Sequence, residues 1–327
     1  MINFQYTKAS STASAVAAIK KDSSSAFIAG GTNLVDLMKK GVTSPQKLID
    51  ITHLDLSKIE KHGNKIIIGS LALNSIVADD EMINKDLPLL ALALKAGASP
   101  QIRNMATIGG NMMQRTRCPY FNSIDMPCNK REPGSGCGAL KGYNRMHAIF
   151  GASDKCIAVH PSDMCIALAA LDAKVNVIGS KGRRHIEFSE FHRLPGDLPQ
   201  KDNTLAKDEL IVSIEVPENK FTKNVHYLKV RDRSSYAFAL VSVAVALSVE
   251  NGSIREAHLA MGGVAHKPWR LSETERFLKG KNISQSVFNE AGQLSVHDAK
   301  GYGYNNFKIK LSANSIAEAL QIAAAKS

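Results

Sequence analysis

Aromatic residues make up only 6% of the 327-residue chain, with a single tryptophan, and no apolar run approaches the roughly 18 to 20 residues that a membrane-spanning helix requires. The longest such stretch, residues 236–249, is rich in valine and alanine and stops at Glu250-Asn251-Gly252. It reads as a buried strand closing in a tight turn. The start, Met1-Ile2-Asn3-Phe4, has neither a basic n-region nor an apolar h-region, so no secretion signal is expected on this chain. Acidic residues are in deficit, 30 against 41 Lys and Arg, for a net charge of +11. No Lys/Arg-rich helix, finger or aromatic strand focuses that excess, which argues against nucleic acid and leaves a dinucleotide or an acidic protein as its recipient. No His/Cys/Glu constellation suggests hydrolysis. The length allows about two domains.

Cysteine is sparse but clustered. Four of five, Cys118, Cys128, Cys137 and Cys156, fall in one Pro/Gly-rich basic stretch, with 9, 8 and 18 residues between them. These gaps are too long for a zinc ribbon or knuckle and differ from the compact ferredoxin pattern. They allow four thiolates to converge on a [4Fe–4S] cubane, or they are four unconnected small residues. The fifth, Cys165, lies in the apolar, helix-like run Met164-Cys165-Ile166-Ala167-Leu168, where a cysteine behaves as a small hydrophobe. Residues 101–156 carry eight Lys/Arg against three Asp/Glu, a surplus that favours thiolates.

The first third alternates strand and helix. Residues 13–20 have helical character, 26–29 form a short apolar strand, 34–40 resume helical spacing, and 47–51 and 65–68 read as further strands. Between the second and third of these lies Gly30-Gly31-Thr32-Asn33. A strand, a Gly-Gly turn and a helix make a phosphate cradle, because glycines let backbone N–H groups approach the oxygens. A Rossmann site with Asp50 as the ribose acid is the other reading, but the G-x-G-x-x-G spacing is missing. A helix over 91–98 ends at Ser99-Pro100, and Thr107-Ile108-Gly109-Gly110-Asn111 supplies a second close-approach turn that would clamp one diphosphate from the opposite side.

Ile28-Ala29-Gly30-Gly31-Thr32-Asn33-Leu34, Ile68-Gly69-Ser70, Ile102-Arg103-Asn104 with 106–111, and Thr204-Leu205-Ala206-Lys207-Asp208-Glu209-Leu210-Ile211 ahead of Val216-Pro217 carry a family resemblance. In this order they resemble the FAD subunits of molybdenum hydroxylases, the xanthine dehydrogenase, carbon monoxide dehydrogenase and aldehyde oxidoreductase relatives. The chain is most similar to the flavin subunits of bacterial periplasmic aldehyde oxidoreductases. The resemblance implies an α+β protein with a two-part FAD domain of the vanillyl-alcohol-oxidase type over 1–220, a cysteine-bearing insertion at about 115–158, and a smaller α+β domain over 221–327.

It further implies that Ile28, Ala29, Gly30, Gly31, Thr32, Asn33 and Leu34, with Thr107, Ile108, Gly109, Gly110 and Asn111, hold the pyrophosphate and neighbouring parts of FAD. Asp163, in Pro161-Ser162-Asp163, is expected to accept from a ribityl hydroxyl, unless it is an ordinary helix N-cap. Lys229 falls where the family places a lysine near the flavin, or is a solvated strand lysine. Cys118, Cys128, Cys137 and Cys156 are assigned to the [4Fe–4S] cluster and Cys165 to the core. No catalytic residue is expected here: a partner's molybdenum centre oxidises the substrate, a partner's [2Fe–2S] clusters feed this subunit, and an external acceptor drains it. Periplasmic location by co-export with a partner follows. The competing class is a stand-alone nucleotide-binding protein with a structural metal. In the C-terminal part, residues 226–230, 239–249 and 254–261 are strand-like around Asn251-Gly252. Ser272-Glu273-Thr274-Glu275 reads as a capping box, and 315–325 as a helix.

Overall fold

The computed structural model describes residues 1–326. Three sheets organise them. The first is parallel, with β1 (Gln5–Lys8) and β2 (Ser25–Ile28) flanking β3 (Lys47–Asp50). The helix Thr12–Lys21 covers it with Ala15, Val16 and Ile19, spaced to share one face, and a Ser11/Ser14 capping box ties its first turn.

The second sheet is antiparallel and holds β4 (Ile59–His62), β5 (Lys65–Gly69), β6 (Lys174–Gly179), β7 (Gly182–Glu187) and β8 (Leu210–Pro217) in the order β4-β5-β8-β6-β7. The last strand in sequence is therefore the central one, joining two hairpins. Helices Pro88–Ala96 and Asp163–Ala170 pack beneath it, and all eight residues of the latter are buried.

The third sheet contains β9 (Val225–Val230), β10 (Val241–Glu250), β11 (Ser253–Gly262) and β12 (Trp269–Arg270), again antiparallel. Central β10 is buried on both faces and sorts its side chains by size. Ala244 and Ala246 face the cluster around Asp163–Ala170, whereas Val241, Val243, Val245 and Leu247 face the cluster built on the long helix Phe307–Ala324. Period-two alternation thus separates a shallow face from a deep one. The hairpin turn holds Asn251 and Gly252 at φ of 50° and 72°, the double left-handed geometry that Asn-Gly tolerates.

Two expectations are corrected. Residues 236–240 are not strand: Tyr236 sits at φ 52° in a loop, and β10 begins only at Val241. Ser272 does not cap its helix either. It is the first helical residue after Leu271, and no side-chain cap bond forms. Glu275 turns instead to the Leu259 amide at 2.6 Å and to Arg270, because closing the sheet edge competes with closing the helix end.

The C-terminal part pins the chain that enters it through a buried lysine. Lys308 donates to the carbonyls of His147 (2.9 Å) and Gly263, and Asn305 donates to that of Ala148 (2.9 Å). Burial pushes the Lys308 ammonium down to about 7 from its ordinary 10.5. Between those values the unfolded chain holds a proton that the folded chain does not, so stability rises with pH across this window and is lowest below about pH 7. The melting temperature of the wild type, relative to Lys308→Met, should therefore climb from pH 7 to 9.5; a flat difference would refute the buried-cation account.

Candidate cofactor sites

A cavity of about 440 Å³ opens where the first sheet meets the second. All seven residues of the first glycine segment, Ile28 to Leu34, line it, together with Ser70, Thr107, Gly109, Gly110 and Arg115. Leu205, Ala206, Lys207 and Ile211 from the segment leading into β8 close the other side. The loop is shaped by Gly31 at φ +69° and by Gly30, whose missing Cβ would collide with the carbonyl oxygen of Met105. The first glycine segment is therefore in close backbone contact with Met105 and Ala106, which lead into the second, and the space Gly30 preserves belongs to that neighbouring loop rather than to a phosphate.

Their donors differ. Among the described residues, no backbone partner accepts from the amides of Thr32, Asn33 and Leu34, which open the helix Leu34–Lys39 toward the cavity. In the second segment the Gly109 amide donates to Ser70 O (2.8 Å), and those of Gly110 and Asn111 go to Thr107. Ile108 is core and Asn111 does not line the cavity; its Oδ1 accepts from the Ser162 hydroxyl at 2.6 Å. Two buried polar atoms at the cavity, Asn33 Nδ2 and Ser70 Oγ, have no partner in the chain. Such atoms are costly unless a ligand takes them.

A second cavity of about 150 Å³ lies between the start of the cysteine segment, the loop before Asp163 and the third sheet, lined by Arg117, Cys118, His160, Asp163, Phe238 and Ser242 among others. Asp163 is not the N-cap: Ser162 caps the helix by accepting from the Cys165 amide, and Asp163 is the first helical residue. Its two oxygens accept from the Tyr227 hydroxyl (2.8 Å) and the Lys229 ammonium (2.7 Å). Burial pushes its carboxyl up, although Lys229 and Tyr227 pull the other way. Lys229 is not a solvated strand lysine. Its side chain is 5% exposed, also donates to Ala96 O, and lines neither cavity.

Residues 2–219 match the model of the FAD binding domain in molybdopterin dehydrogenase, and residues 226–322 that of the CO dehydrogenase flavoprotein C-terminal domain. The chain belongs to the FAD-binding subunits of the molybdenum hydroxylases. It is 44% identical, over 99% of both chains, to the aldehyde oxidoreductase FAD-binding subunit PaoB of Escherichia coli (strain K12). With the glyceraldehyde dehydrogenase medium chain of Sulfolobus acidocaldarius it shares 27% identity, over 88% of this chain and 85% of the relative. The fold is also that of carbon monoxide dehydrogenase from Hydrogenophaga pseudoflava, with a TM-score of 0.78 at 24% identity over 100% of this chain and 99% of that one. This flavin subunit is accordingly part of an oxidoreductase, with a two-part FAD-binding domain followed by a C-terminal domain.

Within the flavin subunit, Cys118, Cys128, Cys137 and Cys156 come together. All four line one small apolar pocket with Phe121, Pro127, Ala139 and Ala158, and all are free thiols. Cys128 and Cys137 face each other as an isolated antiparallel bridge. Among the described residues, no three of these sulfurs fall within 4.8 Å of one another. That spread exceeds the roughly 3.8 Å between thiolates around a single tetrahedral zinc with bonds near 2.3 Å. The enclosed space of about 10 Å³ would have to widen to admit a cluster of several metal ions. The surplus of basic residues does not make Cys118 or Cys156 acidic. Burial pushes Cys118 up to about 12 and Cys156 up to about 11, with Lys130 opposing the latter. Most of the cations face elsewhere: Arg131 donates to the carbonyls of Tyr120 and Phe121, and Lys155 to Asp197. His147 Nε2 lies 3.1 Å from Cys118 Sγ.

One group that the sequence reading missed ties the cysteine pocket to the large cavity. The Lys130 side chain, 1% exposed, lines the cysteine pocket and donates to Asp202 Oδ1 and to Pro199 O (2.7 Å). Arg115 Nε donates to the other oxygen of Asp202 (2.7 Å), while the Arg115 amide donates to Asn33 Oδ1 (2.8 Å). Burial pushes the Asp202 carboxyl up, but Lys130 and Arg115 outweigh it and hold it well below the usual carboxylate range.

Proposed function

We propose that the chain is the FAD- and [4Fe–4S]-carrying electron-transfer subunit of a molybdenum-dependent aldehyde oxidoreductase. It would work beside a [2Fe–2S] subunit and a molybdenum-cofactor subunit on which substrate is oxidised, and pass electrons to an external acceptor. The 44% identity along the whole of a relative named for aldehyde oxidation carries the reading. Other relatives are named medium chains or subunits, which accords with a three-chain assembly. Export to the periplasm with a partner goes with it.

Bound FAD supplies an acceptor that takes electrons singly and releases one or two. The first glycine segment, residues 28–34, would hold its pyrophosphate through the free amides of Thr32, Asn33 and Leu34 and through Asn33 Nδ2. Thr107, Gly109 and Gly110 would shape the opposite wall, with Ile108 and Asn111 behind it. Asp163, oriented by Tyr227 and Lys229, would face the flavin side of the smaller cavity. The four pocket cysteines would ligate the cluster, each losing a proton in doing so. We assign domain limits of 1–220 and 221–327, with the insertion at about 115–158, on the gap between the two family matches and the concentration of pocket cysteines.

Absorbance of the purified complex tests the reading. A flavin band with a broad iron–sulfur shoulder, and two copurifying chains carrying iron and molybdenum, are expected. A colourless monomer with bound zinc would sink it in favour of a nucleotide-binding protein with a structural metal. Cys→Ser at 118, 128, 137 or 156 should lower iron content, whereas Cys165→Ala should keep it in full. Iron lost from the Cys165 variant but kept in the Cys156 variant would reverse the assignment.

A further inference from the structure

A separate set of ligands belongs to neither the glycine segments nor the cysteine pocket, and of its members only His160 lines a cavity described above. His160, Cys165 and His192 come from a loop, from the helix Asp163–Ala170 and from the residue following the helix Phe188–Phe191. All three are buried, and one ligand atom from each lies within 4.8 Å of the other two. The two imidazole rings are in contact, with centroids 4.2 Å apart.

Two of the nitrogens lack any partner in the chain. His192 Nε2 is 3.0 Å from the Met112 carbonyl, so this nitrogen carries the proton and Nδ1 is left as a bare lone pair. That Nδ1 has no partner, and neither does His160 Nε2. His266 Nε2, which also acts on both rings electrostatically, is a third unpartnered nitrogen in this region. A carbonyl-bonded imidazole presenting its other nitrogen inward is the usual outer-shell arrangement of a metal ligand.

We propose that His160, Cys165 and His192 form a second metal site, for one zinc-class divalent cation, distinct from the four-cysteine pocket. Ligand atoms around one tetrahedral ion with bonds of about 2.0 to 2.3 Å stand about 3.3 to 3.8 Å apart, so a closure of about an ångström completes the three-ligand set. The fourth position falls to water. Binding replaces the thiol proton: Cys–SH and the dication give a metal-bound thiolate and one released proton, with no change of oxidation state. Entry is available from two sides, since His160 lines the 150 Å³ cavity and His192 lines a cavity of about 310 Å³ between the second and third sheets. The ion would staple the loop before Asp163 to the end of the β7 connection.

The test is zinc and iron analysis of the intact complex expressed with zinc supplementation, with zinc K-edge absorption on the same sample. About one zinc per copy of this chain is expected, with one sulfur and two imidazole nitrogens in its nearest shell. Cys165→Ala and His192→Gln should each lose that zinc at least tenfold while keeping iron and flavin, and Cys118→Ser should keep the zinc. Zinc at background level in the wild type, a four-sulfur shell, or unchanged zinc in a folded Cys165→Ala variant would each overturn the site. The wild-type spectrum decides the matter even if every variant fails to accumulate.

Discussion

Gly30→Val is expected to strip the chain of FAD. A β-carbon at this position meets backbone, the Met105 carbonyl and Ala106 Cα, and backbone cannot swing aside as a side chain can. The two glycine segments must separate, which moves the free amides of residues 32–34 out of register with the far wall. Flavin retention should fall at least about tenfold, because the clash costs more than the ~1.4 kcal/mol that such a factor represents. The measurement is the flavin-to-protein ratio after gel filtration. Gly134→Ala in the cysteine segment is the control: its Cβ meets nothing, so the strain comes only from φ +93° and should leave flavin untouched. Full flavin in the Gly30 variant would remove these segments from the site.

The second large effect belongs to Asp202→Ala. This carboxylate balances two cations, one of them almost wholly withdrawn from water, and truncating it leaves the Lys130 ammonium buried without a counter-charge. Removing one member of a buried ion pair costs about 3 to 5 kcal/mol, which urea unfolding of the isolated complex would read as a lower midpoint. The loss should be recovered in part by Asp202→Ala with Lys130→Met, since the uncompensated charge is then gone. Equal destabilisation in the single and double variants would show that the carboxylate acts through something other than this pair. A smaller flavin loss should accompany the single variant, because Arg115 loses the carboxylate that holds its guanidinium while its amide holds Asn33.

Residues whose meaning is local were the ones readable in advance. The strands over 47–50, 65–69 and 225–230 are short runs rich in β-branched and aliphatic residues, and Asn251-Gly252 admits few turns other than the one observed. The first glycine segment lines the large cavity along its full length. The four cysteines do meet in one pocket, although their sequence gaps left that open. What escaped depends on partners far along the chain. Asp202 sits in Lys201-Asp202-Asn203-Thr204, a stretch that reads as a solvated turn, and only its contacts with residues 115 and 130 turn it into a buried counter-ion. Lys229 looked equally suited to solvent because β9 alternates, and nothing local announces that Asp163 lies opposite. Glu275 occupies the right place for a capping box and was recruited by Leu259 and Arg270 instead. His192 follows the short helix Phe188–Phe191 and carries no nearby ligand pattern; a search for histidines beside aromatic turns would have found it, at the cost of many false alarms.

The central place of β8 has a consequence for biogenesis. Residues 210–217 emerge from the ribosome some 140 positions after β5, and until they do the hairpins β4–β5 and β6–β7 each present an unpaired edge to the cytosol. Open edges of this kind invite intermolecular pairing. The wall of the large cavity formed by residues 205–211 arrives in the same interval, so a nascent chain has no complete large cavity before its middle sheet closes. Stalled or truncated chains ending before residue 210 should thus be both apo and prone to aggregate, and chaperone demand would be concentrated in that single stretch of synthesis.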